Sequence, residues 1–428
     1  MELLTKIKAK NFVLAVVGIG RVGLPLSVVF ASKGVKVIGI DLDREYVDFV
    51  NKGEMTFTDP GVKELLAKAL KKGNFSATND FGQITKADVV IVTVGTPLTA
   101  DFRPDLAYLC RAIEDISNQK INKKLIIIRS TVPPGTTENI ICQLLENKTN
   151  LKCGADIYLA YCPERIMEGK SVEELETLPE IVGGINETSS QLAAEVFKVV
   201  GAGKKIVTTS PRVAELAKLF ANIYRYVNFA LANQFALIAE HYGVDAYEAI
   251  RVANDGYKRA NISLPGPSGG PCLYKDGHMI SYTPFIDFIK SAWHLNESIP
   301  YHIVNRIKLE MGSIFGRNVA VLGLAFKADI DDTRHSPAVK LVSILEAEGC
   351  CVKVHDPYVE SESLESAIEE ADVVILAVNH STFKKLDPKT IAKYAKKNAL
   401  FVDCWGVFNP ADIMEVGMKY MGLGRKLT

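Results

Sequence analysis

The chain has 428 residues, 50 Lys and Arg against 50 Asp and Glu, and a hydrophobic content of 48%. It is too long for one ordinary core, so two or three domains are expected. Zero formal net charge with no Lys/Arg run argues against a nucleic acid partner, and no apolar run is long enough to span a bilayer.

Met1 to Lys10 is polar and is expected to run straight into a strand, with no signal peptide. The eight cysteines are scattered, contain no Cys-x-x-Cys pair, and include the adjacent Cys350 and Cys351. That pattern suits neither a disulfide framework nor a zinc site, so no metal is expected and the compartment is read as reducing and cytoplasmic.

Val13 to Val17 is a short β-rich run, followed by Gly18-Ile-Gly20-Arg21-Val22-Gly23 and an apolar helical pattern from Leu24. A second strand, Val35 to Ile40, ends at Asp41. Strand, glycine turn, helix, strand and acid form the dinucleotide fingerprint in its required context. Gly18 permits the tight turn, Gly20 lets backbone approach a pyrophosphate, and Gly23 lets helix pack on strand. Asp41 would accept from the adenosine ribose and repel a 2′-phosphate, which favours NAD over NADP. Three further strands each run into a polar cluster: Asp88–Val94 into Gly95-Thr96-Pro97, Lys124–Arg129 into Ser130-Thr131-Val-Pro-Pro-Gly135, and Ile157–Ala160 into Tyr161-Cys-Pro-Glu164-Arg165. Ligands of open α/β sheets bind at such carboxyl ends.

From Val213 to about Gly243 a helical pattern persists without internal proline or glycine. Lys218, Asn222 and Arg225 recur at i, i+4 and i+7 and so share a face. A second helix is expected near Val244–Asn254, and another from Phe285 to Met311 with Trp293. Their apolar content suggests a subunit interface. Between them lies Gly266-Pro-Ser-Gly269-Gly-Pro-Cys272-Leu-Tyr-Lys275-Asp276, read as a glycine- and proline-rich loop. The lysine beside Cys272 favours a thiolate, the nucleophilic form of cysteine.

The last third repeats the plan of the first. Asn318–Leu322 leads to Gly323-Leu-Ala-Phe326-Lys327, Cys351–His355 ends at Asp356, Asp372–Val378 echoes Asp88–Val94, and Leu400–Asp403 adds a strand. The copy lacks the glycine triplet. The expected fold is therefore α/β: two Rossmann-like doubly wound sheet domains joined by a long central helix and a small helical region. The expected boundaries are 1–205, 206–312 and 313–428.

Over nearly its whole length the chain resembles the nucleotide-sugar dehydrogenases, the UDP-glucose/UDP-N-acetylmannosamine dehydrogenase family. The shared motifs are Gly18-x-Gly20-x-x-Gly23-Leu-Pro, Gly95-Thr-Pro97, Ser130-Thr-Val-Pro-Pro-Gly135, Pro163-Glu-Arg165, Glu215-Leu-Ala-Lys218-x-x-x-Asn222, Gly269-Gly-x-Cys272-x-x-Lys275-Asp276, Gly323-Leu-Ala-Phe-Lys327 and Asp332-Thr-Arg-x-Ser-Pro337. The resemblance implies a four-electron oxidation of a sugar C6 alcohol to a carboxylate, with NAD as acceptor. It implies Cys272 as nucleophile, Lys218 and Asn222 as alkoxide and oxyanion stabilisers, Asp276 as an orienting group, Glu164 as hydrolytic base, and Thr131 as a positioner of water or cofactor. For the cofactor it implies Arg21, Val22, Asp41, Thr96, Thr131, Lys275 and Arg334. For the UDP-sugar it implies Glu164, Arg165, Ile166, Lys218, Asn222, Arg225, Tyr257, Arg259, Gly269, Phe326 and Lys327. It also implies a homodimer, or a higher oligomer, in which Arg259 reaches the neighbouring subunit's substrate.

UDP-glucose members usually carry Asn-Pro-Glu-Phe where this chain has Cys162-Pro-Glu164-Arg165. The arginine, with Lys218, Asn222, Arg225, Tyr257, Arg259 and Pro265-Gly-Pro267, is most similar to the branch acting on UDP-N-acetylmannosamine. Pro271 stands where that branch often has histidine, and Tyr257 where histidine is also common. UDP-N-acetylglucosamine or UDP-glucose is the alternative substrate. A two-electron β-hydroxyacid dehydrogenase would lack both the cysteine and the second sheet. A non-catalytic NAD or UDP-sugar sensor would be expected to lose Cys272 or Lys218.

Overall fold

The structure, a computed structural model, describes residues 2–281, 283 and 286–425. Contacts divide the chain into two compact units: Met1–Ala221 with His278–Tyr282, and Asn222–Gly277 with Thr283–Thr428.

The first unit is built on an eight-stranded sheet: β1 (Val13–Val17), β2 (Lys36–Ile40), β3 (Phe75–Thr78), β4 (Val89–Val92), β5 (Leu125–Ile128), β6 (Tyr158–Tyr161), β7 (Glu180–Gly184) and β8 (Ile206–Thr209). The order is β3-β2-β1-β4-β5-β6-β7-β8, parallel except where β7 runs against β6. β4 and β5 are buried along their whole length. That is why they read as unbroken apolar runs rather than alternating ones. Helices cover both faces, giving one apolar layer around Leu14, Val16, Phe30 and Phe197 and another around Val90, Ile113, Ile126 and Tyr161.

The polar start of the chain is not a direct lead into β1. Glu2–Lys8 is a helix. Ile7 is buried with Leu3 and Leu4 beside it, and Lys6 Nζ meets Asp88 Oδ1 at 3.1 Å. Three apolar residues on one helical face were outweighed in the composition by their charged neighbours. β3, β7 and β8 were also not anticipated; they are short, and β7 carries a glutamate and two glycines. β8 extends the first sheet past residue 205.

The second unit holds a five-stranded parallel sheet: β9 (Asn318–Leu322), β10 (Cys351–His355), β11 (Val373–Leu376), β12 (Leu400–Asp403) and β13 (Lys419–Gly422), in the order β10-β9-β11-β12-β13. This repeats β2-β1-β4-β5-β6, and the repeat extends to individual hydrogen bonds. Gly18 N–H donates to Ile40 O at 2.7 Å, and Gly323 N–H donates to His355 O at 2.7 Å. Asp88 Oδ2 accepts from Val13 N at 2.9 Å, and Asp372 Oδ2 accepts from Asn318 N at 2.9 Å.

The central helix, Pro211–Tyr242, begins in the first unit and ends in the second. Ala246–Asn254 follows it, capped by Asp245 Oδ1 accepting from Tyr247 N. A 25-residue helix runs from Asp287 to Met311; its anticipated start at Phe285 lies outside the described residues. No helix among the described residues is long and apolar enough to cross a membrane.

Candidate active site

The glycine turn after β1 has the geometry its composition requires. Gly18 has φ +88°, and a Cβ there would meet the Val94 backbone at 3.1 Å. A Cβ on Gly23 would lie 1.9 Å from Gly18 O. At Gly20 a Cβ would meet nothing within 4 Å, so no intramolecular contact demands glycine there. Close approach of a pyrophosphate would. Asp41, at the end of β2, accepts from Ile19 N at 3.0 Å and Asp43 N at 3.2 Å. These residues fit an adenine dinucleotide. Arg21 lies over the Phe57 ring and 3.9 Å from Glu168. Val22 sits at the start of the Gly23–Ser32 helix.

In the second unit the equivalent turn is closed by its own side chains. Asp356 Oδ2 accepts from Leu324 N at 2.6 Å, Ala325 N at 3.1 Å and His380 Nε2 at 3.1 Å. His380 Nδ1 accepts from Asp329 N at 2.9 Å, which sets the ring as the Nε2–H tautomer. Burial raises the Asp356 carboxyl, but His380 and the backbone N–H groups outweigh it and hold the group at about 2. Ala325 and Ala328 replace two of the three glycines, so this turn lacks the open glycine backbone of the first.

At the carboxyl ends of β4 to β6, Thr96 Oγ1 donates to Thr131 O at 2.6 Å and Ser130 Oγ donates to Val94 O at 2.6 Å. Glu164 is a fixed ion. Its Oε2 accepts from Arg129 Nε at 2.7 Å, and its Oε1 accepts from Arg165 N at 2.7 Å and Ile166 N at 2.9 Å. Arg129 also donates to Glu180 Oε1 at 2.8 Å, and Glu180 Oε2 pairs with Lys204 at 2.8 Å. Burial pushes the Glu164 carboxyl up, yet Arg129 and the two N–H groups hold it below its ordinary value. It is thus a weaker base than a free carboxylate. The Arg165 side chain donates to Pro179 O. The strand-end arginine, Arg129, went unnoticed in the sequence because it lies at the end of an apolar strand, where a charge reads as a strand terminus.

Glu215 opens the helical face that carries Lys218. It is fully buried and accepts from Gly135 N, from Thr137 N at 2.9 Å and from Thr137 Oγ1 at 2.7 Å, which ties the end of the Ser130–Gly135 loop to the central helix. Burial raises its carboxyl. Lys218 is 3% exposed, Asn222 half-buried and Arg225 exposed, so their shared face grades from interior to surface. Asn222 Nδ2 donates to Asp276 Oδ2 at 2.6 Å.

The segment around Cys272 is not all loop. Pro271–Asp276 is a short helix with Pro271 at its first position. Proline is well placed there, since the first helical N–H has no intrahelical partner and φ is preset. That accounts for Pro271 before the cysteine. Cys272 is exposed and forms no disulfide. Asp276 lies one turn later on the same face, with Lys275 beside it.

The glycine pair before it is required by neighbours. A Cβ on Gly269 would lie 2.6 Å from His335 O and from Pro337 Cδ. Gly270 has φ +94°, and a Cβ there would lie 2.5 Å from the Phe326 ring. Gly270 N–H donates to His335 O at 3.0 Å, and Phe326 N–H donates to Asp332 O at 2.9 Å. Arg334, mostly exposed, pairs with Asp332 through Nε at 3.0 Å and Nη2 at 2.6 Å. Tyr274 stacks on His335 at 4.3 Å. Within the second unit, then, Asn222, Gly269, Cys272, Lys275, Asp276, Phe326 and Arg334 belong to one connected set, and Lys327 follows Phe326. Tyr257 and Arg259 do not join it; Arg259 lies over the Tyr257 ring at 4.8 Å, and both are exposed. Gly270→Ala is expected to cost about 1–3 kcal/mol from backbone strain alone, and more through displacement of Phe326; thermal unfolding measures it.

Asn233 was missed. It is fully buried; its Oδ1 accepts from Gly266 N at 2.9 Å and its Nδ2 donates to Gly266 O at 3.1 Å and Asn296 Oδ1 at 3.0 Å. It pins the start of the cysteine segment to the central helix. The available signal was an asparagine, a poor helix former, three turns beyond Asn222 in an otherwise apolar helix.

Family models match along most of the chain: the NAD binding domain of the UDP-glucose/GDP-mannose dehydrogenase family over residues 12–200, its central domain over 212–291, and its UDP binding domain over 320–410. The chain belongs to this family, and is an NAD-dependent dehydrogenase. It is 38% identical over 421 residues to the UDP-N-acetyl-D-mannosamine dehydrogenase of Pyrococcus horikoshii, covering 96% of this chain and 99% of the relative. The solved structure of UDP-D-ManNAc dehydrogenase from that organism superposes with a TM-score of 0.90 at 36% identity, covering 96% of this chain and 99% of the other. A UDP-glucose dehydrogenase from Pyrobaculum islandicum superposes at 0.85 with 27% identity, covering 97% and 98%. The fold is therefore common to enzymes acting on different sugars.

Proposed function

We propose that this protein is a UDP-N-acetyl-D-mannosamine 6-dehydrogenase that oxidises the sugar C6 alcohol to the carboxylate. The near-full-length similarity to relatives of that name, joined to the Asn222–Asp276–Cys272 arrangement, carries the reading. NAD, when bound, accepts a hydride at each of two oxidation steps. Gly18, Gly20, Arg21, Val22, Gly23, Asp41, Thr96, Thr131, Lys275 and Arg334 are assigned to hold it.

Lys218 takes the C6 hydroxyl proton and, with Asn222, stabilises the alkoxide. The second hydrogen on Asn222 Nδ2 remains for this, since Asp276 takes the other and fixes the amide's orientation. The Cys272 thiolate adds to the resulting aldehyde as a thiohemiacetal, and removal of its hydride leaves a thioester. Water then attacks, the C–S bond breaks, and the thiol returns. Glu164, held as a carboxylate by Arg129, accepts a hydrogen bond from that water and serves as its weak base. Arg165, Ile166, Arg225, Tyr257, Arg259, Gly269, Phe326 and Lys327 are assigned to the UDP-sugar.

The test supplies NAD with each of UDP-N-acetylmannosamine, UDP-N-acetylglucosamine and UDP-glucose. The reading requires kcat/KM highest for the first, with two NADH formed per acid. A higher kcat/KM for another sugar overturns the specificity; one NADH per product overturns the mechanism.

A homodimer, in a cytoplasmic setting, is part of the same proposal. The exposed apolar residues Val213, Phe220, Tyr224, Leu231, Ile238 and Tyr242 form a stripe of three- to four-residue steps and their multiples along the central helix. Water rarely faces so long an apolar row on one helix. Leu231→Glu is expected to give monomers by light scattering and to lose activity, because Arg259 would no longer reach a neighbour's substrate.

A further inference from the structure

We propose that Cys142, Glu146 and Cys153 form a binding site for a thiophilic divalent cation of the zinc type, apart from the dehydrogenase site. Their sulfur and carboxylate ligand atoms all lie within 4.8 Å of one another, and all three residues are half-buried. Tetrahedral coordination by two sulfurs and one oxygen places ligand atoms about 3.3–3.8 Å apart, given metal–ligand bonds of about 2.0–2.3 Å. From a widest separation of 4.8 Å the ligand atoms must close by up to about 1–1.5 Å.

The local fold brings these residues together although their spacing is no zinc signature. Cys142 begins the Cys142–Thr149 helix, and Glu146 lies one turn further on the same face. Asn150, at φ +58°, ends the helix and turns the chain back. Cys153 then returns, its Sγ 3.7 Å from Cys142 O. Leu144, Leu151, Ile181 and Ile185 pack against the same apolar layer as Cys142 and Cys153. Glu146 is oriented by Cys153 N–H at 3.0 Å and by Lys152 Nζ at 3.3 Å. Lys152 also offsets the excess negative charge of two thiolates and a carboxylate around a divalent ion, much as outer-shell partners do at established sites. A water completes the fourth position.

Binding is not a redox step: each thiol releases its proton to solvent as its sulfur joins the metal. The ion would tie the end of this helix to the loop leading into β6, the strand that runs Tyr158–Tyr161. Its role is structural, independent of which sugar is oxidised.

The test uses full-length, chelator-treated, reduced protein carrying Cys272→Ser and Cys351→Ser, so that the two exposed thiols do not contribute. Co2+ is the probe. Expected are a sulfur-to-cobalt charge-transfer band and tetrahedral visible bands saturating at one equivalent per chain, with Zn2+ displacing Co2+. Cys142→Ser and Cys153→Ser each abolish the charge-transfer band, while Glu146→Gln weakens binding without removing it. Zn2+ raises the Tm of the parent and not of the serine variants, whose metal-free Tm shows that they fold. Absence of the band in the parent overturns the proposal, as does its persistence when both cysteines are serine. Loss of two hydrogens on treatment with oxidised glutathione, in a chain that takes up no Co2+, overturns it by making the pair a redox couple.

Discussion

Cys272→Ser is expected to lower formation of the sugar acid by about three orders of magnitude or more, with the fold unchanged. Cys272 is exposed on the first turn of a short helix that follows the Gly269–Gly270 pair, where neighbours leave no room for a Cβ. Serine preserves that geometry. What is lost is the thiolate: a serine hydroxyl is far less ionised near neutral pH, and its ester is a poorer acyl donor than a thioester. In the proposed mechanism the first oxidation does not use the sulfur, since Lys218 and Asn222 are assigned to the alkoxide. The variant should therefore yield at most one NADH per sugar and release or retain the aldehyde. Mass spectrometry of products alongside NADH absorbance measures both. Full conversion to acid with two NADH per sugar would exclude a thioester route.

Arg129→Met is expected to destabilise the protein by about 3–5 kcal/mol, the usual effect of removing one partner from a buried ion network. The Arg129 side chain is 2% exposed, and it bridges Glu164 and Glu180, which are 11% and 4% exposed. Without it Glu180 keeps Lys204, but Glu164 keeps only two backbone N–H groups. Arg129→Lys should recover part of the loss, because an ammonium cannot reproduce the planar fork. Chemical denaturation measures both.

The pH dependence carries a sign. Glu164 is depressed in the folded protein, so its contribution is present above the ordinary value of 4.5 and is lost as pH falls through the folded value. The methionine variant lacks that contribution, so its deficit against the parent should narrow below about pH 4.5. A deficit that does not change between neutral pH and pH 4 would show that the loss is packing alone. Turnover should fail at thioester hydrolysis, with acyl-enzyme accumulating on Cys272.

Much of the site was legible because its chemistry needs rare residue patterns. Gly18, Gly20 and Gly23 could be placed in sequence because a tight turn, a close approach and helix packing each exclude a side chain, and the structure shows the excluding contacts at Gly18 and Gly23. The Asp41 and Asp356 positions were legible as acids ending strands, but their different fates were not. Asp41 keeps two backbone donors, whereas Asp356 is sealed by His380, a residue distant in sequence. Arg129 and Asn233 were invisible for a related reason. Each is a polar residue in an apolar element, and only its partners at long sequence separation show that it is satisfied and needed.

By itself the sequence determined the two-fold repetition of an α/β plan, the long central helix, NAD as cofactor and the motifs that mark a nucleotide-sugar dehydrogenase. These depend on local periodicity and on glycine and acid spacing, which act over a few residues. Tertiary structure alone decided that Glu164 is an ion held by Arg129, that Cys272 lies in the first turn of a helix rather than in a loop, and that Pro271 belongs there as its first residue. It also decided that Gly269 and Gly270 make room for His335, Pro337 and Phe326. Those outcomes depend on contacts between residues tens of positions apart, where packing and the pairing of buried charge, not local preference, set the conformation.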